Sequence, residues 1–278
     1  MFVRLNIPDW RAPEILGGLG AVATAGVGRR FRSRLQAEIE AWAPGWEVVL
    51  LGSGRQALAL ALRALGLSGR RVAVPAFVCP SVLTALRSEA VTIVPVDCAP
   101  DSVRFDRDEL EWVVRRSEVD GVLAANSYGI DQDLGWLRSL EVPVIEDAAY
   151  QAGQVGPGGR GCGLRGDAGV WSFNFKGLTG VGGGVAFLRS GVEGLPGDGA
   201  LRYRDVVRFA SYGLRAVGRC RIPGFLPGGA PPRSVYGDRP VLAGMGAVRM
   251  SELQAAVAFA QWRRRTEIRD RLRRTRDA

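Results

Sequence analysis

Lys176 is the only lysine in a chain of 278 residues whose net charge is +9. All other cationic side chains are arginines, which indicates that arginine has replaced lysine wherever the two are equivalent. They are not equivalent for chemistry that needs a deprotonatable amine, because a guanidinium stays protonated and is a poor nucleophile. Lys176 is therefore either a candidate nucleophile or a surface lysine retained by chance. The sequence around it is needed to distinguish the two interpretations.

The segment around Lys176 has a strand before it and a glycine-rich turn after it. Residues 170–173 are apolar apart from Ser172, and glycines recur over residues 177–184. Glycine lets a backbone approach a flat ligand closely, and a lysine amine forms a Schiff base with an aldehyde. The alternative is a solvated lysine at the end of a strand.

Two adjacent carboxylates, Glu146 and Asp147, end another apolar segment. Side chains alternate across a strand, so only one of the two faces a site at its end. We expect Asp147 to face it, with Glu146 pointing away. An aspartate there can hold a pyridinium nitrogen protonated, although a carboxylate that caps a helix is also common.

A turn of small residues lies between a predicted strand and a predicted helix at residues 51–58. Backbone N–H groups at such a helix start bind phosphate, and Ser53 and Arg55 can add side-chain donors. The spacing matches neither a Walker loop nor a dinucleotide fingerprint, so alone it also fits an ordinary turn. The three motifs together supply a phosphate site, a carboxylate for a ring nitrogen and an amine for an aldehyde, which are the groups that pyridoxal 5'-phosphate (PLP) needs.

Short strands alternate with helices along the first part of the chain. Strands are predicted at residues 47–51, 71–74, 91–96, 121–125, 142–145, 169–173 and 184–188, and helices at 56–65, 81–88, 108–115 and 134–140. This alternation predicts an α/β fold with a mostly parallel sheet, in which ligands bind at the carboxyl ends of the strands. Residues 191–237 are interpreted as connecting structure, and Ser251 as the cap of one long helix over residues 252–276.

The composition excludes several other classes of site. The chain has no histidine, and none of its cysteines forms a CxxC pair, so zinc sites and Ser-His or Cys-His nucleophiles are not expected. No apolar run is long enough to span a membrane. Residues 15–28 follow Asp9 and Glu14, where a signal peptide would carry positive charge. We expect a cytoplasmic protein without a membrane partner. The arginines of residues 263–276 raise the alternative of nucleic-acid binding, but acids are interspersed and no nucleic-acid motif is present.

From about residue 42 onward the sequence resembles the DegT/DnrJ/EryC1/StrS (sugar) aminotransferases. The most specific matches are Ile-Glu-Asp-Ala-Ala at residues 145–149 and Arg-Met-Ser-Glu-Leu-Gln-Ala-Ala at residues 249–256. The resemblance implies a fold type I PLP-dependent large domain over residues 1–245, with residues 246–278 beginning the link to a truncated small domain. It also implies a homodimer that transfers an amino group, usually from glutamate, to a nucleotide-linked keto sugar, as in nucleotide-sugar metabolism and polysaccharide biosynthesis.

The resemblance assigns roles to individual residues. It implies that Lys176 is the Schiff-base lysine, Asp147 the partner of the pyridinium nitrogen, and Ser172 a phosphate ligand. Tyr150 stands where the family has glutamine, and Cys79 stands at the ring-stacking position with Phe77 nearby. The full predicted cofactor site comprises Ser53, Gly54, Arg55, Gln56, Phe77, Cys79, Asp147, Tyr150, Ser172 and Lys176.

The short C-terminus leaves a second hypothesis open, in which the chain is a non-catalytic or truncated relative. Because relatives continue into a small domain that helps to close the substrate site, we expect this chain to bind PLP better than it transaminates a sugar. We also expect apolar side chains on the last helix, such as Leu253, Val257 and Leu272, to be exposed. The retained Lys176 argues for an active enzyme.

Overall fold

The computed structural model describes residues 10–24, 30–174, 176–189, 203–216 and 248–277. Its strands are β1 Glu47–Leu51, β2 Arg71–Pro75, β3 Thr92–Val96, β4 Gly121–Ala125, β5 Val144–Asp147, β6 Ala168–Ser172 and β7 Gly184–Leu188. Its α-helices are α1 Ala12–Ala23, α2 Arg30–Trp42, α3 Gly54–Ala64, α4 Pro80–Ser88, α5 Arg107–Arg115, α6 Leu134–Arg138, α7 Tyr203–Ala216, α8 Glu252–Arg263 and α9 Arg265–Asp277.

The strands form one sheet in the order β1-β7-β6-β5-β4-β2-β3. Strand β7 is antiparallel to both of its neighbours, and the remaining pairs are parallel. The predicted α/β fold with a mostly parallel sheet is confirmed. Because β2, β4, β5 and β6 run in the same direction, the residues that follow their carboxyl ends meet at one edge of the sheet.

Local sequence explains where the early elements begin. The strands consist of apolar runs whose side chains are largely buried, apart from the edge strand β3. Side-chain caps start three of the four helices between the early strands, whereas α4 has none. Ser53 accepts a hydrogen bond from the Gln56 N–H at the start of α3, and Asp106 and Asp133 cap α5 and α6 in the same way. The predicted strands and helices of residues 47–188 agree with the observed bounds to within two residues.

Sequence periodicity was less informative at the two ends of the chain. The predicted long C-terminal helix is two helices, α8 and α9, that meet at Arg264, whose ψ of 8° lies outside the helical range. Ser251 does cap α8, in a capping box with Gln254. Within residues 191–237, interpreted as connecting structure, residues 203–216 form α7; the rest of that range lies outside the described residues.

The expectation that the face of α8 would be exposed is wrong. Leu253 and Val257 are fully buried, in a cluster with Trp10, Phe209 and Tyr212 from the segments of α1 and α7. An N-terminal segment and α7 therefore cover the apolar surface that we expected a small domain to cover. The side chain of Leu272 lies outside the described residues.

Polar contacts also join the N-terminal segment to the rest of the chain. The Trp10 indole N–H donates to the Thr179 carbonyl at 2.7 Å. The fully buried Glu14 carboxylate accepts from Gln261 at 2.8 Å and from Arg264 at 2.7 Å. A buried carboxylate needs such partners, because an uncompensated charge in the interior is costly.

Over the described residues, no helix has both the length and the apolar character for a membrane crossing. Those residues also contain no cluster of side chains suited to a metal ion. Cys79, Cys98 and Cys162 are free thiols, while Cys220 lies outside the described part.

Candidate active site

A small cavity lies at the carboxyl edge of the sheet, beside the ends of β4, β5 and β6. Both predicted catalytic residues, Lys176 and Asp147, line it. The lining residues are Val78, Cys79, Val82, Ala125, Asn126, Ser127, Asp147, Ala149, Tyr150 and Lys176. Segments far apart in sequence meet here because the parallel strands end at the same edge.

Asp147 ends β5 and is surrounded by protein where it faces the cavity. Burial raises the pKa of its carboxyl group, because a charged carboxylate is disfavoured away from water. The positive charge of Lys176 and the hydrogen bond from the Ala149 N–H, at 3.0 Å, oppose that rise. An additional positive group beside Asp147 would lower the pKa of this carboxyl group. The carboxylate would in turn stabilise the positive charge of that group.

Lys176 reaches the cavity across the ring of Tyr150. Its Nζ lies 4.4 Å from the ring centroid, a distance typical of a cation–π contact. The following turn is tight, since a Cβ at Gly177 would lie only 2.9 Å from the Tyr150 carbonyl oxygen. Glycine at this position therefore allows the Lys176 turn to pack against the turn that carries Tyr150.

Glu146 points to the opposite side of β5 and is fully buried. Its carboxylate accepts hydrogen bonds from the Arg165 backbone N–H at 2.9 Å and from the Arg165 Nε at 3.0 Å. The Asn126 amide donates to Glu146 at 3.1 Å and to Gln151 at 2.8 Å. Sequence analysis missed Arg165 as a partner; the available signal was that an inward-facing Glu146 requires a cationic neighbour.

The predicted phosphate residues meet at the start of α3, outside the lining of the cavity. A Cβ at Gly54 would lie 2.8 Å from Ser172 Cβ and 3.0 Å from its Oγ, so the end of β6 touches the first turn of α3. Ser53 forms a bridge with Gly183 of the glycine-rich turn. The Ser172 hydroxyl thus lies beside the first residue of α3. N–H groups at a helix start can bind an anion, and the Gln56 N–H there already donates to Ser53.

The predicted ring-stacking residues occupy different positions. Cys79 lines the cavity together with Val78 and Val82, whereas Phe77 does not line it and is 50% exposed. The Phe77 ring lies 6.0 Å from that of Tyr128, which in turn lies 5.8 Å from that of Tyr150. Among the described lining residues Tyr150 is the only aromatic.

Comparison with solved structures assigns the fold. Spr1654 of Streptococcus pneumoniae, described as a sugar aminotransferase and solved in its PLP form, matches 96% of this chain with a TM-score of 0.68 and 18% identity. DesI, solved in the presence of its TDP-sugar product, matches 98% with a TM-score of 0.69 and 21% identity. A DegT/DnrJ/EryC1/StrS aminotransferase from Brucella abortus matches 94% with a TM-score of 0.65 and 20% identity. The chain spans 68%, 63% and 67% of these three chains, respectively.

The fold is therefore that of the PLP-dependent aminotransferases. The model of the DegT/DnrJ/EryC1/StrS aminotransferase family matches residues 28–194, more than half of the chain. This protein belongs to that family, whose cofactor is PLP, and the predicted family resemblance is confirmed. No curated protein has a matching sequence.

Proposed function

We propose that this protein is a PLP-dependent aminotransferase that transfers an amino group, from glutamate, to a nucleotide-linked keto sugar. The observation that carries the proposal is that Lys176 and Asp147 line one cavity at the carboxyl edge of the sheet. The family relationship supports the reaction class, and the TDP-sugar product with which DesI was solved supports the substrate class. Family relatives also suggest a cytoplasmic homodimer, which is part of the proposal.

The residues present fit PLP in number, type and location. The start of α3, together with Ser172, offers donors for a phosphate, and the contact between Gly54 and Ser172 leaves no room for a Cβ at residue 54. Lys176 offers an amine for the aldehyde, and Asp147 a carboxylate for the ring nitrogen. The side chains of Val78, Cys79 and Val82 offer an apolar surface for one face of the ring.

When bound, PLP supplies an electron sink that stabilises negative charge developing on the substrate carbon. Lys176 Nζ would hold the cofactor aldehyde, and the same amine would move a proton to and from the substrate carbon. Asp147 keeps the ring nitrogen protonated, because its carboxylate stabilises the positive charge next to it. Tyr150, whose ring lies beside Lys176 Nζ, would orient the ring oxygen with its hydroxyl.

The test uses the purified chain, PLP and glutamate, and needs no sugar. We expect a visible absorbance band with PLP, and a shift of that band with release of 2-oxoglutarate when glutamate is added. Borohydride reduction followed by peptide mapping should locate the cofactor on Lys176. Lys176→Arg retains the positive charge but cannot form the imine, so it should show neither the band nor the modified peptide.

Each step of this experiment tests a different part of the proposal. Absence of the band, or an equally modified peptide in Lys176→Arg, contradicts the assignment of Lys176. A band without any response to glutamate or other amino donors would indicate a relative that binds PLP without turnover. Release of 2-oxoglutarate followed by amination of a nucleotide-linked keto sugar, but not of the free sugar, would support the complete proposal.

A further inference from the structure

We propose that a second, larger cavity binds a small compound with two or more phosphate or carboxylate groups. It lies between the β3–α5 connection, helix α6 and the loop of residues 157–165. Its volume is about 860 Å³, within the range of pockets that hold small-molecule ligands. No residue lines both this cavity and the one that contains Lys176.

Five arginines line this cavity, and two of them, Arg107 and Arg165, are paired with carboxylates. The other three come from three different segments. They are Arg104 before α5, Arg138 in the last turn of α6 and Arg160 in the 157–165 loop. Arg138 and Arg160 are exposed and form no ion pair within the described part of the chain. Arg104 donates through Nε to the Asp131 carbonyl at 2.7 Å, which leaves its remaining N–H groups and its charge without a carboxylate.

Most of the acidic side chains in the cavity already have partners. Asp131 pairs with Arg165 at 2.5 Å. Asp133 pairs with Arg107 and also caps α6. Asp106 accepts only from the neutral Glu109 N–H at the start of α5, so its charge and that of Asp108 have no described cationic partner. The three unpaired arginines therefore outnumber the unpaired lining carboxylates by one.

The back of the cavity is held in place by buried contacts. Arg165 is 7% exposed and is shared between Glu146 and Asp131. A Cβ at Gly156 would lie 2.4 Å from the Arg165 Nη1, so glycine there leaves space for the guanidinium group. Because Arg165 is committed to two carboxylates, we assign ligand binding to Arg104, Arg138 and Arg160 in front of it.

This arrangement selects for a multivalent anion. A guanidinium group presents several N–H donors in a plane that matches both phosphate and carboxylate oxygens. A single phosphate would fill little of about 860 Å³, and the three arginines come from separate segments of the lining. A ligand with two or more anionic groups can contact arginines on separate segments at the same time.

The experiment titrates pyrophosphate and, separately, citrate into the full chain by calorimetry, with PLP in excess to occupy the phosphate site at α3. We expect saturable binding of at least one probe with one site per chain. Arg138→Ala/Arg160→Ala should weaken it at least tenfold, because two charge-assisted hydrogen bonds are lost. Tighter pyrophosphate would identify a phosphorylated ligand, and tighter citrate a polycarboxylate.

Arg87→Ala is the matched control. Arg87 is also an exposed arginine in the last turn of a helix, α4, and it lines neither cavity. The control should bind as the wild type does, and both Arg87→Ala and the double variant should unfold at the wild-type temperature. Three results would overturn the proposal: no saturable binding of either probe, equal weakening by Arg87→Ala, or loss of binding in Ser53→Ala but not in the double variant.

Discussion

Glu146 and Asp147 are adjacent on β5, yet their carboxylates lie in different environments. Glu146 is fully buried against Arg165 and Asn126, whereas Asp147 faces the cavity that Lys176 also lines. The alternation of side chains along a strand produces this division. Two substitutions of the same chemical kind, carboxylate to amide, should therefore have opposite effects on activity and stability.

Asp147→Asn should lower the rate of the glutamate half-reaction by about 10²- to 10³-fold, the typical loss when one preorganised electrostatic group is removed. An amide cannot stabilise a protonated ring nitrogen. Single-turnover kinetics with excess PLP measure this directly. A variant with the wild-type rate would show that Asp147 is not the partner of the ring nitrogen.

The same variant should not be less stable than the wild type when PLP is absent. Burial raises the pKa of Asp147 in the folded state above its unfolded value of 3.8. As the pH rises through the interval between these two pKa values, ionisation of Asp147 therefore lowers the stability of the folded protein. Below that window the two proteins should be equally stable, and above it Asp147→Asn should be the more stable. Urea unfolding across this range tests the sign.

Glu146→Gln should destabilise the protein by about 3 kcal/mol, because it leaves the buried Arg165 guanidinium with one carboxylate partner instead of two. The matched control is Asp120→Asn, which breaks the more exposed pair with Arg71 and should cost no more than about 1 kcal/mol. Urea unfolding of both variants makes the comparison. Equal losses would mean that the Glu146–Arg165 pair contributes no more than a surface pair.

Ser172→Ala should weaken PLP binding about tenfold, since a hydrogen bond to a charged group contributes about 1.5 kcal/mol or more. Binding of pyridoxal, which lacks the phosphate, should not change. Ser88→Ala is the control, because Ser88 is also buried but its hydroxyl donates to the Ala85 carbonyl within α4. An equal loss for PLP and pyridoxal would place Ser172 away from the phosphate.

Trp10→Ala should destabilise the protein by about 3 to 5 kcal/mol, the usual loss for a buried tryptophan. Trp10 is 4% exposed and packs against Phe209 and Tyr212, with ring centroids 5.6 and 5.4 Å away. Trp112→Ala is the control, since Trp112 is 54% exposed on α5, and it should cost less than about 1 kcal/mol. Light scattering should also show association of Trp10→Ala if Leu253 and Val257 become exposed.

Much of the architecture could be predicted from local sequence. The apolar runs of β1 to β7 and the polar caps at Ser53 and Ser251 act over a few residues, so their signals are readable without tertiary information. Helices α1, α2 and α7 were not predicted. In α1, for example, Glu14 occupies a fully buried position, which obscures the expected apolar face until its partners Gln261 and Arg264 are known.

The sequence by itself determined which groups are available for chemistry: one lysine, the Glu146–Asp147 pair and a small-residue turn before α3. Tertiary structure decided which of them meet. The contact of Ser172 with Gly54, the placement of Lys176 and Asp147 in one cavity, and the cover of α8 by α1 all depend on the order and direction of the strands and on packing between distant segments. Short-range periodicity encodes neither the order of the strands nor the packing between distant segments. It shows only which face of an element is apolar, not which partner covers that face.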